Sequence, residues 1–322
     1  MSSPKLNAEW LELEKRLGSR PVLKGNPQEM IRQFDGLMAL LASSGQKANA
    51  SVVTKDILIE GIKCRIYTPG AIKSGCPLPL GVYTHGGGFI CGDLESEDAL
   101  CRAISEAAPC VVVSVDYRLG PRYKLPVMLQ DALAVYRWAW DNASQLGGDQ
   151  SKFFTVGGSA GGALALSIAN HYAQHPDGRR YIHGVAVMAP VTLHWDNCPE
   201  EYREDYRSYE ENAEHVPIID RASMQTFFEA VNASPSDSSI FTALSAHHRD
   251  FPPTFICTCG TDPLRDDGRV MRKALAKAGV RTKFVEYPDL PHYFWMFQEL
   301  NISKEFVIDL VGGVKWVISE ME

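Results

Sequence analysis

Gly157-Gly158-Ser159-Ala160-Gly161-Gly162 is the segment of this chain best suited to covalent chemistry. It begins where the apolar run Phe153-Phe154-Thr155-Val156 ends, and it leads directly into a stretch rich in Ala and Leu. A G-x-S-x-G pattern alone is frequent by chance. Between a strand and a helix it has a mechanical reading. A serine held in a strained turn needs small neighbours on both sides, and the helix N-terminus behind it favours the negative charge of acyl transfer. The bland alternative is a set of glycines packing a helix onto a strand around an incidental serine.

A second glycine segment narrows that choice. His85-Gly86-Gly87-Gly88 follows another apolar run, and glycines leave backbone N–H groups open to an oxyanion. Each such donor can be worth about 3 kcal/mol in the transition state. The N–H groups of Gly87, Gly88 and Ala160, the residue after the serine, are the expected oxyanion hole. His85 is expected to brace this loop by a hydrogen bond rather than to react.

Serine is a weak nucleophile near neutral pH and needs a base, itself oriented by an acid. The chain order for this arrangement is Ser, acid, His. Asp262, in Gly260-Thr261-Asp262-Pro263-Leu264, follows a strand-like run at 254–259, and His292 follows another at 281–287. His292 is the only histidine downstream of Asp262. Asp266 and Asp267 compete for the acid role, but each opens a predicted helix, where capping or the helix dipole would occupy it.

These residues need a scaffold that brings strand ends together. The pattern from residue 79 onward alternates strand and helix: strands at 79–85, 110–116, 153–156, 185–189, 254–259 and 281–287, with helices at 96–108, 126–144, 160–174, 266–278 and 304–319. Such alternation predicts an α/β fold with a mostly parallel sheet covered on both faces, its site at the carboxyl ends of the strands. Runs at 52–60 and 62–68, separated by Gly61, predict an antiparallel hairpin at a sheet edge. Two amphipathic helices are expected in 1–45, the second placing Met30, Ile31, Phe34, Met38, Leu40 and Leu41 near one face. Residues 192–249 are too long for a crossover and read as a cap, helical at 222–231. The expected division is N-terminal cap helices in 1–50, a core of 51–191 with 250–322, and a cap insertion at 192–249.

Composition excludes several function classes. The 322 residues are 45% hydrophobic and 22% charged, enough to build a large core. The net charge of −7, without a basic cluster, argues against nucleic acid or an anionic membrane as partner. No apolar run is long enough for a membrane span, and the polar N-terminus lacks a signal-peptide core, so the cytoplasm is the expected location. The eight cysteines then read as reduced residues, with Cys91, Cys101, Cys110, Cys257 and Cys259 in or beside the core. Cys257-Thr258-Cys259 lacks a second ligand pair for a metal.

The motifs His-Gly-Gly-Gly-Phe-Ile-Cys-Gly (85–92), Asp116-Tyr117-Arg118-Leu119, Pro126 with Asp131, 157–162, and Asp262-Pro-Leu-Arg-Asp-Asp-Gly together resemble the hormone-sensitive-lipase-like carboxylesterases, in that family's order across residues 78–295. The resemblance implies the α/β-hydrolase fold with a helical cap. It also implies a serine esterase with the triad Ser159, Asp262 and His292, needing no cofactor and no metal. The chain departs from the pattern at Gly158, where many members carry Asp or Thr, at Arg122, where Glu is usual, and at Tyr293, where Gly is common. Phe89, Tyr293, Phe294 and Trp195 are expected to line the substrate pocket, with Met30, Phe34 and Phe227 as weaker candidates. Trp295 and Phe297 read equally well as core. The expected partner is a small-molecule ester; assembly as a homodimer is left open. Two rivals share the apparatus: a hydrolase for a thioester or a polyketide acetate, and a small-molecule receptor. Receptors on this fold tend to lose a triad member, and all three are present.

Overall fold

The computed structural model describes residues 5–43, 51–70 and 76–321. Residues 1–4 and 44–50 of the expected N-terminal segment, and 71–75 of the expected core, lie outside the described residues. Among the described residues one sheet of eight strands organises the fold: β1 (Val52–Ile59), β2 (Ile62–Pro69), β3 (Leu78–Thr84), β4 (Val111–Asp116), β5 (Gly148–Gly158), β6 (Gly184–Met188), β7 (Thr254–Cys259) and β8 (Thr282–Tyr287). Their order is β1-β2-β4-β3-β5-β6-β7-β8. From β4 to β8 every neighbouring pair is parallel, while β1 pairs antiparallel with β2, and β2 with β4.

The hairpin turns where expected. Ile59 pairs with Ile62 across Glu60 and Gly61, both at positive φ (50° and 84°), the twist that a two-residue hairpin requires. β5 is longer than its apolar half predicts. Its first five residues, Gly-Asp-Gln-Ser-Lys, are mostly polar and only partly covered, so hydrophobicity does not mark them. The other central strands are buried throughout or nearly so, as covering of both faces demands.

Helices α3 (Asp98–Ala107) and α9 (Asn301–Ser319) pack together on one face of the sheet. The other carries α4 (Val127–Asp141), α5 (Ala160–Ala173) and α8 (Arg265–Lys277), the expected 126–144 helix ending early in a 3-10 turn at Ala143–Leu146. α5, between β5 and β6 in sequence, is buried along nearly its whole length, which explains why it carries no Asp, Glu, Lys or Arg.

The remaining helices are α1 (Ala8–Leu17) and α2 (Pro27–Ser43) at the N-terminus, and α6 (Ser208–Glu211) and α7 (Arg221–Val231) within 192–249. These two regions, distant in sequence, are joined directly. Ile218 N–H donates to Pro21 O at 2.6 Å, and Leu23 N–H donates to Ile218 O at 2.9 Å. Ser223 Oγ donates to Leu23 O at 2.7 Å, and α2 lies against α7. On α2, Met30 and Phe34 are buried as expected, whereas Leu40 is 51% exposed. Leu40 lies about 80° of helix rotation from Met30 and about 120° from Phe34, so it faces off the buried stripe.

Candidate active site

Ser159 stands between β5 and α5 with φ 53° and ψ −121°, a backbone conformation that non-glycine residues rarely adopt. The turn is pinned on both sides. Ser159 N–H donates to Met188 O at 2.8 Å, and Ala163 N–H donates back to Ser159 O at 3.0 Å. The close fold-back explains the small neighbours: a Cβ on Gly161 would stand 2.0 Å from the Thr84 carbonyl oxygen. Thr84 Oγ1 also donates to Gly161 O at 2.7 Å, tying the end of β3 to the turn.

Residues from three separate strand ends meet at this serine. His292 Nε2 lies 3.0 Å from Ser159 Oγ, and His292 Nδ1 lies 2.6 Å from Asp262 Oδ2. With the ring proton on Nδ1, the imidazole donates to Asp262 and is free to accept from the serine hydroxyl. Asp262 is fully buried, and its other oxygen accepts from Leu264 N–H at 2.8 Å. Ser159 and His292 retain only 5% and 4% of their exposure, so bulk water is largely excluded. An arrangement of this kind can raise the nucleophilicity of a hydroxyl and shuttle its proton.

The loop after β3 runs beside the serine, with Gly87 at φ 115° and Gly88 at φ 60°. Among the described residues, neither Gly87 N–H nor Gly88 N–H donates to a protein acceptor. Ala160 opens α5, where a backbone N–H has no partner within the helix. His85 braces the loop. Its Nδ1–H donates to Gly86 O at 2.7 Å, its own carbonyl accepts from Tyr117 hydroxyl at 2.7 Å, and its ring stacks on Tyr117 at 4.3 Å. Burial pulls this imidazole down to about 4.

Asp266 and Asp267 are not simple helix caps. Asp266 Oδ2 accepts from the N–H groups of Arg207 and Ser208 at 2.8 and 2.7 Å, and the carboxylate pairs with Arg265 and Arg269. Asp267 Oδ1 accepts from Thr192 and Leu193 N–H at 2.8 and 2.9 Å, and Oδ2 accepts from Tyr206 hydroxyl at 2.9 Å. Both therefore spend their oxygens on 192–208 and fasten that segment next to the site. Their helical position hides this role from the sequence. Asn212 was also missed: its amide donates to Asp262 O at 3.0 Å and Gly260 O at 3.2 Å, holding the loop that carries the acid.

The expected pocket residues divide. Phe294 belongs to the core instead, fully buried and packed edge-on against Tyr287, Trp295 and Phe306. Trp295 stacks flat on Phe306 at 4.1 Å, and Phe297 packs against Trp10. An aromatic run after a histidine cannot show which rings turn inward. Phe89 is buried at positive φ, its carbonyl accepting from Gly120 N–H. Tyr293 packs on His292 at 4.8 Å between ring centroids. Trp195 contacts His194, Phe228 and Tyr209 and lines a cavity of about 490 Å³ with Tyr206 and Arg221. Phe227 of α7 lies over the glycine loop, where a Cβ on Gly88 would come within 2.3 Å of its ring.

Comparison with known proteins agrees with this fold. Residues 81–296 match a protein family described as having the alpha/beta hydrolase fold. The chain is 45% identical over 314 residues to the versiconal hemiacetal acetate esterase of Dothistroma septosporum, spanning 97% of this chain and 95% of that one. It is 34% identical to the carboxylesterase NlhH of Mycobacterium tuberculosis, over 73% of this chain and 72% of the relative. The crystal structure of a vibralactone cyclase superposes with a TM-score of 0.88 at 28% identity, covering 100% of this chain and 97% of that one. The chain belongs to the α/β-hydrolase-fold family and, within it, to the hormone-sensitive-lipase-like carboxylesterases.

Proposed function

We propose that this chain is a serine carboxylesterase acting through an acyl-enzyme on Ser159. The unbroken contact from Asp262 through His292 to Ser159 carries the reading. His292 takes the Ser159 proton as the hydroxyl attacks the ester carbonyl, while Asp262 holds the imidazole in the required tautomer. The N–H groups of Gly87, Gly88 and Ala160 receive the developing oxyanion. His292 then returns the proton to the departing alcohol, and water repeats the sequence on the acyl-enzyme.

An acetate ester of a small or medium-sized natural product, including a polyketide, is the substrate class we favour over a simple lipid ester or a thioester. The support is the near full-length similarity to an esterase named for a hemiacetal acetate. In this reading α1, α2 and residues 192–249 form a cap that sets the substrate's size. The pairing of 21–23 with 218 and the seat of Phe227 over Gly88 support it. Cytoplasmic location, a further part of the proposal, is supported by eight unpaired cysteines, six of them buried. The test is a fluorophosphonate probe followed by a panel of matched acetyl esters and acetyl thioesters. Labelling at Ser159 with higher kcat/KM on the esters is expected. An unlabelled Ser159 would return the chain to the receptor reading, and preferred thioesters would reverse the substrate class.

A further inference from the structure

Glu97 and Tyr293 have no part in the proton relay, yet both are buried beside it. Glu97, just before α3, keeps 7% of its exposure. Its Oε1 accepts from Gly86 N–H at 3.2 Å, and its Oε2 accepts from the Tyr83 hydroxyl. A carboxyl is thus fixed to the first glycine of the oxyanion loop. Tyr293, at φ 55°, directly follows His292, with its ring against both His292 and Trp295 at 4.8 and 4.6 Å.

The Tyr293 hydroxyl reaches the narrowest point of the site. A Cβ built on Gly158 would lie 2.1 Å from that oxygen, and a Cβ on Gly86 would lie 2.2 Å from it. The same position on Gly86 is 3.2 Å from Glu97 Oε1. The phenol oxygen is therefore wedged between the oxyanion loop and the residue before the nucleophile, facing the Glu97 carboxyl without a well-aligned hydrogen bond. Burial first, and the neighbouring carboxyl second, keep this phenol protonated.

Three loops must hold their mutual positions during acyl transfer: the one with the N–H donors, the one with the serine and the one with the base. A misplacement of about 1 Å can cost about 100-fold in rate. We propose that Glu97 and Tyr293 are positioning residues that lock the oxyanion loop to the nucleophile turn, the Tyr293 hydroxyl being the wedge and Glu97 the anchor. Gly86 and Gly158 are then the sockets that admit the wedge. The proposal rests on the serine-esterase reading of the same site.

Steady-state kinetics on p-nitrophenyl acetate test it, with thermal unfolding and fluorophosphonate labelling measured on every variant. Tyr293→Phe keeps the ring on His292 and Trp295 and removes only the wedge. It should lower kcat about tenfold while KM stays within about twofold, because misplaced donors affect the transition state more than substrate binding. Glu97→Gln, which retains an acceptor for Gly86 N–H, should keep most of the kcat that Glu97→Ala loses. Gly158→Ala should lose kcat by displacing the hydroxyl, and adding Tyr293→Phe in the same chain should cost little more, because the wedge is already displaced. A Tyr293→Phe enzyme with wild-type kcat, or Gly158→Ala and Tyr293→Phe losses that simply multiply in the double variant, would overturn the proposal. In both cases labelling of Ser159 would still leave the esterase reading intact. Failure of the wild-type chain to label or hydrolyse would instead remove the esterase reading. The Tyr293→Phe arm decides the matter even where Glu97→Ala does not fold.

Discussion

The hydroxyl of Tyr293 occupies the space into which a side chain on Gly158 would grow, 2.1 Å from the position of its Cβ. The two positions are 135 residues apart in sequence. In the fold they touch. The Tyr293 hydroxyl thus fills the gap that the missing side chain of Gly158 leaves between the loop of Ser159 and the loop of His292.

Burial of His85 makes stability depend on pH in a defined window. Its folded-state value, about 4, lies below the ordinary 6.5, because burial disfavours the imidazolium. Below pH 6.5 the unfolded chain takes up a proton that the folded chain refuses until about pH 4. Stability linked to His85 is thus fully present above 6.5 and is lost as pH falls through this window. The loss approaches about 3 kcal/mol for a difference of this size. Asn at this position can still donate to Gly86 O and does not titrate. Urea denaturation of wild type and His85→Asn at pH 7.0 and 4.5 should show wild type losing about 2–3 kcal/mol more than the variant. Equal losses would contradict the assignment.

Asp267 separates hydrogen bonding from charge. Burial, the largest influence, drives its carboxyl well above the usual range despite three accepted hydrogen bonds. Asp267→Asn keeps an oxygen for Thr192 and Leu193 and should cost within about 1.5 kcal/mol. Asp267→Ala leaves several buried donors unmatched and should cost about 3 kcal/mol or more. Chemical denaturation of the two variants checks this; equal costs would show that the 192–208 segment does not depend on these bonds.

Phe227 should restrict the space above the Gly86–Gly88 loop. Phe227→Ala removes the ring that lies over Gly88. The ratio of kcat/KM for p-nitrophenyl octanoate to that for the acetate should rise by about tenfold, since pocket space worth a methylene or more changes discrimination by 10- to 200-fold. An unchanged ratio would place the acyl chain elsewhere.

Much of the candidate site was legible because the residues the fold brings together there sit on local signals. Ser159 stands where a strand becomes a helix, Gly86–Gly88 follow an apolar strand, and His292 has no downstream rival. The strand–helix alternation made the parallel sheet legible for the same reason: burial on two faces leaves nearly continuous apolar runs. What escaped is what depends on the path of 192–249. Asn212 reaches Gly260 and Asp262 only because that segment doubles back over the strand ends. Asp266 and Asp267 look like helix-start acids until their backbone partners at 192, 193, 207 and 208 are in place. Phe294 is a ring in an aromatic run, and only packing shows that it turns to the core while Tyr293 turns to the serine loop.

The central claim is that Ser159 forms the acyl-enzyme, and Ser159→Ala tests it most directly. Hydrolysis of p-nitrophenyl acetate should be followed for wild type and variant at equal concentration, with thermal unfolding as the control for folding. Loss of the nucleophile in a site of this kind costs about 10⁴-fold or more in kcat. The result expected is a loss of that order with an unfolding temperature near wild type. A folded Ser159→Ala protein that hydrolyses the ester at close to the wild-type rate would contradict the account.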